Sequence, residues 1–316
     1  MSNIPYESAV PGAGKFYRFQ RALPGGRASL ALWGFIAAIG ALDYTWATQQ
    51  AIGIDPAQID ARIRLGLIIL AFVIGLRVLP FRQLASVADR LAVLATTILR
   101  VSLFTGVAGV LSYLAMTTNA PLADALFLAA DRALGVNYES WHAFVVSHSM
   151  LEVALGYAYA GTLFAVVASL AYFPLTGQFA SSERFQWALA ISAVTAIAIS
   201  AVMPAFGPWH DFGLAQPEGF ADMLALRAGS IRQIGAVAGI ISFPSFHTSL
   251  GVLIMYYLWT SRRLRWPALL INIPMLVSVW TQGNHYFVDS LGGIAVAAMA
   301  IWIARAIVAV PGDELR

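Results

Sequence analysis

Two short stretches carry side chains able to do chemistry together: Phe243-Pro244-Ser245-Phe246-His247-Thr248-Ser249 and Gly283-Asn284-His285-Tyr286-Phe287-Val288-Asp289. Taken singly, each has an ordinary reading. Pro-Ser-x-His is also a helix entry with a serine cap, and a histidine at an interface is often structural. The pairing changes this, because the 37 residues between His247 and His285 hold two apolar crossings joined by a basic turn. Two crossings return the chain to the same face, so both imidazoles are expected at one depth, on adjacent antiparallel helices. His285 and Asp289 are four residues apart, which on a helix places them on one face, where the carboxylate can hold one ring nitrogen protonated and leave the other free to attack. A plain His–Asp pair tying helices together is the competing reading.

A target that one histidine attacks while a second protonates the departing oxygen is best met by phosphorus. His285 would carry a phosphohistidine, and His247 would act as acid and then as base. Phosphate also calls for positive charge and oriented donors. Arg227 and Arg232, in the loop before His247, are candidates for the first, and Ser245 with the N–H groups of its helix start for the second. A headgroup contact at the outer surface is the alternative for both arginines. His247, His285 and Asp289 are equally acceptable zinc ligands, so a metal-dependent hydrolase stays open, as does a transporter or lipid-binding protein without catalysis. The phosphohistidine reading needs no metal and no cofactor.

These residues must be positioned by a chain of 316 residues that is 59% hydrophobic and 11% charged, too few charges to cover a soluble globule. Apolar blocks at about 28–48, 64–80, 91–116, 150–173, 185–203, 244–260, 266–283 and 286–309 are each long enough for a membrane helix. The expected fold is an all-α polytopic membrane helix bundle of about eight transmembrane helices. The chain reads as a single membrane domain over 1–316, with a cytoplasmic segment (1–27), N-terminal spans (28–116), an outer amphipathic segment (117–149) and a catalytic helix core (150–309). The first block follows Lys15, Arg18, Arg21 and Arg27 with no small-residue cleavage site, which predicts a retained anchor.

Cations separate from acids along the chain. With the N-terminus inside, inner loops hold Arg77, Arg82, Arg90, Arg184 and the Arg262, Arg263, Arg265 cluster, and the C-terminus returns beside Arg305 and Arg316. Outer segments hold Asp55, Asp60, Asp124, Asp131, Glu139, Asp211, Glu218 and Asp222. This predicts a bacterial inner-membrane protein with both termini cytoplasmic and the histidines at the periplasmic face. The formal charge of +3 is accounted for by inner-loop arginines facing anionic lipid, so nucleic acid is not implied, and the absence of cysteine excludes thiol chemistry. The expected partners are the bilayer, a phosphorylated membrane lipid, and water or an alcohol as acceptor.

Two outer segments exceed what a simple connection needs. In 117–149, Leu122, Ala125, Leu126, Ala129 and Leu134 form an apolar face with Asp124, Asp131 and Arg132 off it, predicting one or two short helices lying flat on the outer surface. The second, 204–243, opens with the shaped run Pro204-Ala205-Phe206-Gly207-Pro208-Trp209. Within the spans Arg100, Asp43 and Glu152 read as a mutual structural ion pair. His142, His148 and His210 read as interface residues.

Pro244-Ser245-Phe246-His247 and His285-x-x-x-Asp289 resemble the second and third motifs of the type 2 phosphatidic acid phosphatase superfamily. Ser-Phe-Pro-Ser-Phe-His, His-Tyr-Phe-Val-Asp with Gly292-Gly293, and Met203-Pro204 to Pro208-Trp209 are most similar to its branch of inositol phosphorylceramide synthases and their bacterial relatives. The resemblance covers about 203–293. It implies a six-helix core with the first two spans as additions, the second histidine as nucleophile supported by the aspartate, and the first histidine as acid. The superfamily's first motif, Lys followed by six residues and Arg-Pro, is absent, and its third-motif Ser-Arg pair stands here as Ser278-Val279. The resemblance therefore implies that Arg227 and Arg232 take over phosphate binding or that the phosphate is held differently, and the same losses favour the transferase-like branch.

Overall fold

In hydrocarbon every backbone N–H and C=O must be satisfied within its own segment, and apolar blocks of this length can do so only as helices. The computed structural model describes residues 26–78, 85–213, 219–235 and 237–309. Lys15, Arg18, Arg21, Arg82, Glu218 and Arg316 lie outside the described residues.

In chain order the elements are α1 (Gly26–Gln49), β1 (Gly53–Ile54), α2 (Pro56–Val78), α3 (Ala85–Met116), α4 (Asp124–Ala133), α5 (Tyr138–Val146), α6 (Ser149–Leu175), α7 (Phe179–Val202), α8 (Pro208–Phe212), α9 (Phe220–Arg227), β2 (Gln233–Ile234), α10 (Phe246–Leu258), α11 (Arg265–Gln282) and α12 (Phe287–Ile307). The protein is an all-α membrane helix bundle. Each expected span has its helix, and among the described residues α1, α3, α6, α7 and α12 are by themselves long and apolar enough to cross a membrane. The helix α2 starts at Pro56, well before the expected residue 64, because Asp60, Arg62 and Arg64 do not break it. Charged side chains are tolerated helix formers, and Arg64 pairs with Asp60 one turn back at 2.5 Å. Only 13 residues long, α10 spans about 20 Å against the roughly 30 Å of a bilayer core. The loop leading into it therefore completes the crossing.

The centre of the bundle is α7, packed on α3, α6, α10 and α12, while α11 packs on α6 and α10, and α1 and α2 lie against α3. Phe185, Ala188, Ala190 and Ala196 of α7 are buried, whereas Leu67, Phe72, Met150, Phe164, Leu270 and Trp302 stand exposed on the outer surface of the bundle. An apolar girdle of this extent is covered by lipid. At one end Arg90 donates to the Leu175 carbonyl (3.1 Å), Arg184 to that of Val308 (2.8 Å), and Tyr172 meets Ser261 (3.0 Å). The opposite end holds α4, α5, α8, α9 and a parallel two-residue pairing of β1 with β2. The two long outer segments thus form one layer over the bundle.

The charged residues of the spans pair differently from the expectation. Arg100 on α3 donates to the Ser29 hydroxyl, lies 5.2 Å over the Trp33 ring and interacts electrostatically with Glu183 of α7. Asp43 is buried elsewhere on α1, with Oδ1 unpartnered among the described residues, and Glu152 stands at the start of α6. The acidic partner of Arg100 comes from α7, which packs on α3. Both Glu183 oxygens are buried without a hydrogen bond among the described residues. Arg100→Leu should therefore destabilise the solubilised protein by about 3 kcal/mol or more, and Arg100→Leu with Glu183→Leu by clearly less. Unfolding midpoints of the three proteins in detergent check this, and equal losses would dismiss the coupling.

Candidate functional site

The two motif helices meet at their first turns. Ser245 N–H donates to the Asp289 carbonyl at 2.9 Å, Ser249 Oγ to the Gly293 carbonyl at 2.8 Å, and Thr248 Oγ1 to Ser290 Oγ at 3.3 Å. Gly293 permits this approach, since a Cβ there would stand 2.4 Å from the Ser245 carbonyl oxygen. Ser245 is fully buried and serves as the N-cap of α10, accepting from Thr248 N–H at 3.3 Å. Its hydroxyl and its N–H are both engaged within the protein.

His285 lies just ahead of α12, where the sequence placed it inside a helix. Gly283 ends α11 and Asn284 takes a left-handed φ of 52°, so the turn projects His285 before Tyr286 caps the new helix. Asp289 then reaches back from the first turn. Its Oδ2 accepts from His285 Nδ1–H at 3.1 Å, Tyr286 N–H at 3.0 Å and Ser242 Oγ–H at 2.8 Å. The pairing is that of a capping carboxylate rather than of two neighbours on one helix face. It commits Nδ1 to the carboxylate and leaves Nε2 available.

Two further aspartates hold this turn in place, and their role is absent from the sequence reading. Asp131 of α4, 1% exposed, accepts from Phe287 N–H at 2.8 Å and Val288 N–H at 2.9 Å, filling two of the orphan donors at the start of α12. Asp124 accepts from Phe206 and Gly207 N–H, both at 2.9 Å, and lies 3.1 Å from the Tyr286 hydroxyl, which donates to Asp211 at 2.6 Å. Burial raises the Asp131 carboxyl above the usual range, Asp289 adds to this, and the two N–H bonds oppose it. Burial and the flanking Asp211 and Asp124 push the Tyr286 hydroxyl far up, so it stays a neutral donor. Leu126 of α4 and Leu134 just after it are exposed, as expected for a surface helix, and so is Arg132. Asp124 and Asp131 turn into the protein instead of to water, on the same side as Phe127. The seven-residue spacing of Asp124 and Asp131, two helical turns, was the available signal.

Gly207 shows how tightly the loops close, because it sits at φ 96° and a Cβ there would lie 2.3 Å from the Asn284 carbonyl oxygen. Trp209 is buried beside it, its indole N–H donating to the Phe206 carbonyl at 2.8 Å.

Beneath this turn lies a cavity of about 270 Å³ onto which both His247 and His285 open. Tyr159 of α6 is in its wall, and Phe104, Ala108, Ala193 and Ile240 make most of the remainder apolar. His247 stacks on Tyr159 with ring centroids 4.5 Å apart. Neither Arg227 nor Arg232 is in the cavity wall. Arg227 donates to the Ala120 carbonyl at 3.0 Å, and Arg232, exposed, accepts through its carbonyl from Gly53 N–H at 2.8 Å. The arrangement unites His247, His285 and Asp289 and leaves both arginines in the outer layer. His142, His148 and His210 are outside the cavity wall too, His148 against Phe144 and His210 against Phe206 and Trp209. Among the described residues no three His, Cys, Asp or Glu side chains gather as a metal set.

Asp131→Ala strands two buried N–H groups, an expected loss of about 2–4 kcal/mol. Asp131→Asn, which keeps one acceptor, should lose about half as much. Thermal unfolding in detergent reads both, and an unchanged midpoint for Asp131→Ala would remove the clamp from the account.

Residues 125–303 match the profile of the PAP2 superfamily, more than half of the chain. No curated protein and no solved structure matches it. The matched stretch begins one residue after Asp124 and ends within α12, and so contains Asp131, both motifs and the histidines that open onto the cavity. The chain belongs to the PAP2 superfamily, and is a membrane protein of phosphatase type.

Proposed function

We propose that the protein is a lipid phosphatase or phosphotransferase that works through a phosphohistidine on His285. The observation that carries this reading is the opening of both imidazoles onto one cavity, with His285 Nδ1 bound to Asp289. In the reaction, His285 Nε2 attacks phosphorus and the P–O bond to the lipid breaks as His247 gives its proton to the leaving oxygen. Water or an alcohol then attacks the phosphohistidine, His247 taking the acceptor's proton. Asp289 stabilises positive charge on the phosphorylated ring, as the third member of such arrangements does.

An apolar wall around the histidines supports a lipid substrate, because an alkyl chain gains about 0.8 kcal/mol per buried methylene there. Headgroup transfer, such as phosphoinositol onto an alcohol, is supported by the likeness of the 242–247 and 285–293 runs to the inositol phosphorylceramide synthase branch and by the missing first-motif cations. In this reading Arg227 and Arg232 draw phosphate toward the site from the outer layer, and Ser245 holds the start of α10. The segregation of Arg90, Arg184 and the 262–265 cluster from Asp124, Asp131 and Asp211 supports a bacterial inner-membrane location with cytoplasmic termini and a periplasmic site.

Purified protein incubated with lipid phosphates, with and without inositol, should release phosphate or transfer the headgroup. His285→Ala should lower either activity by at least about 10³-fold, and EDTA should leave it unchanged. Activity surviving in His285→Ala, or lost to EDTA and restored by zinc, would overturn the mechanism. Since the native chain has no cysteine, Ser261→Cys and Ser230→Cys report topology directly. An impermeant thiol reagent applied to intact cells should label the second and spare the first, and the reverse result would invert the proposed orientation.

A further inference from the structure

Tyr159 lies in the middle of α6, and its surroundings single it out. Its ring stacks on His247 with planes 24° apart, and its hydroxyl lies 3.5 Å from His247 Nδ1. A Cβ added at Gly283 would stand 3.0 Å from Tyr159 Cε2 and 2.8 Å from His285 Cδ2, so the ring also adjoins the turn that projects the second histidine. Tyr159 shares the cavity wall with both imidazoles, and among the described residues that wall contains no arginine or lysine.

His247 lacks what His285 has. Asp289 fixes the ring of His285 through Nδ1, while the polar side chain nearest the Nδ1 of His247 among the described residues is the Tyr159 hydroxyl. An acid that must later serve as a base has to exchange its proton through one nitrogen only, and the bond made by the other nitrogen decides which. The contact is long, of the kind that tightens when substrate closes a site.

We propose that Tyr159 is the positioning residue of His247: its phenol oxygen accepts from Nδ1–H and keeps Nε2 as the nitrogen that gives and takes the proton. The inference rests on the phosphatase reading above. In the complex with the anionic phosphate, His247 carries a proton on both nitrogens. As the P–N bond to His285 forms and the P–O bond breaks, the Nε2 proton passes to the lipid oxygen, and Nδ1–H stays on Tyr159. Nε2, now with a free lone pair, takes a proton from water as water's oxygen bonds to phosphorus and the P–N bond breaks. Both histidines return to their first state, and the phenol proton remains free to donate to a phosphate oxygen.

Tyr159→Phe keeps the stacked ring and deletes the oxygen, so the test is how its effect depends on the leaving group. Single-turnover cleavage is measured for a long-chain alkyl phosphate and for a nitrophenyl phosphate carrying the same tail, with wild type, Tyr159→Phe and His247→Ala. An alkoxide needs a proton to leave and a nitrophenolate does not. Tyr159→Phe should therefore slow alkyl release by about 10- to 100-fold, a part of the range for general acid catalysis, and change the nitrophenolate burst by less than about threefold. His247→Ala should show the same contrast, enlarged. Equal losses on both substrates would make Tyr159 a packing residue, and no loss on either would remove it from the site; each overturns the proposal. Wild type inactive on both substrates would instead remove the phosphatase reading and the inference with it.

Discussion

The architecture of the site depends on how two buried carboxylates of α4 satisfy a cluster of backbone donors. Asp131 takes the first N–H groups of α12, and Asp124 takes those of Phe206 and Gly207 beside the Tyr286 hydroxyl. Donors buried this close to hydrocarbon cost several kcal/mol each when unmet. Three chain segments far apart in sequence are thereby drawn to one place. The arrangement also offsets the cost of burying the acids, since each carboxylate receives at least two donors. This is the condition under which buried charge is tolerated.

Beneath that layer a second constraint sets the distance between the motifs. The glycines at 292 and 293 leave no Cβ to hold α12 away from the Phe243–Ser245 turn. The hydrogen bonds from Ser245 and Ser249 can then close, and the two helix starts become one rigid unit. Rigidity matters because attack and proton transfer each require placement to a fraction of an ångström. The imidazoles inherit that placement from backbone hydrogen bonds, which do not depend on long flexible side chains.

What could be read from the residues follows from how local the signal is. Helical blocks follow from composition, so all eight appear, and the convergence of His247 with His285 follows from the parity of two crossings. The burial of Asp124 and Asp131 could not be read the same way. An amphipathic pattern says where Leu126 and Leu134 go, to the exposed surface, but is silent on whether the other face meets water or protein. His285 was misplaced into a helix because periodicity does not see the left-handed Asn284 that ends the turn. Arg100 finds Glu183 only through the packing of α3 on α7. Tyr159 in an apolar span reads as filler until α6 is brought beside α10.

Charge handling therefore divides between two layers. Acids gather in the outer layer, where Asp124, Asp131 and Asp211 meet backbone donors and the Tyr286 hydroxyl. Among the described residues the cavity wall has imidazoles, a phenol and mostly apolar side chains, without a lysine or arginine. In the proposed reaction a phosphate entering that space would be met by the protonated His247 and by N–H and O–H dipoles, which act more strongly in a low dielectric than in water and are already oriented. Such dipoles hold an anion less tightly than arginine does. Charge that develops during transfer would consequently be stabilised more than the charge the substrate brings, and that difference is what lowers a barrier.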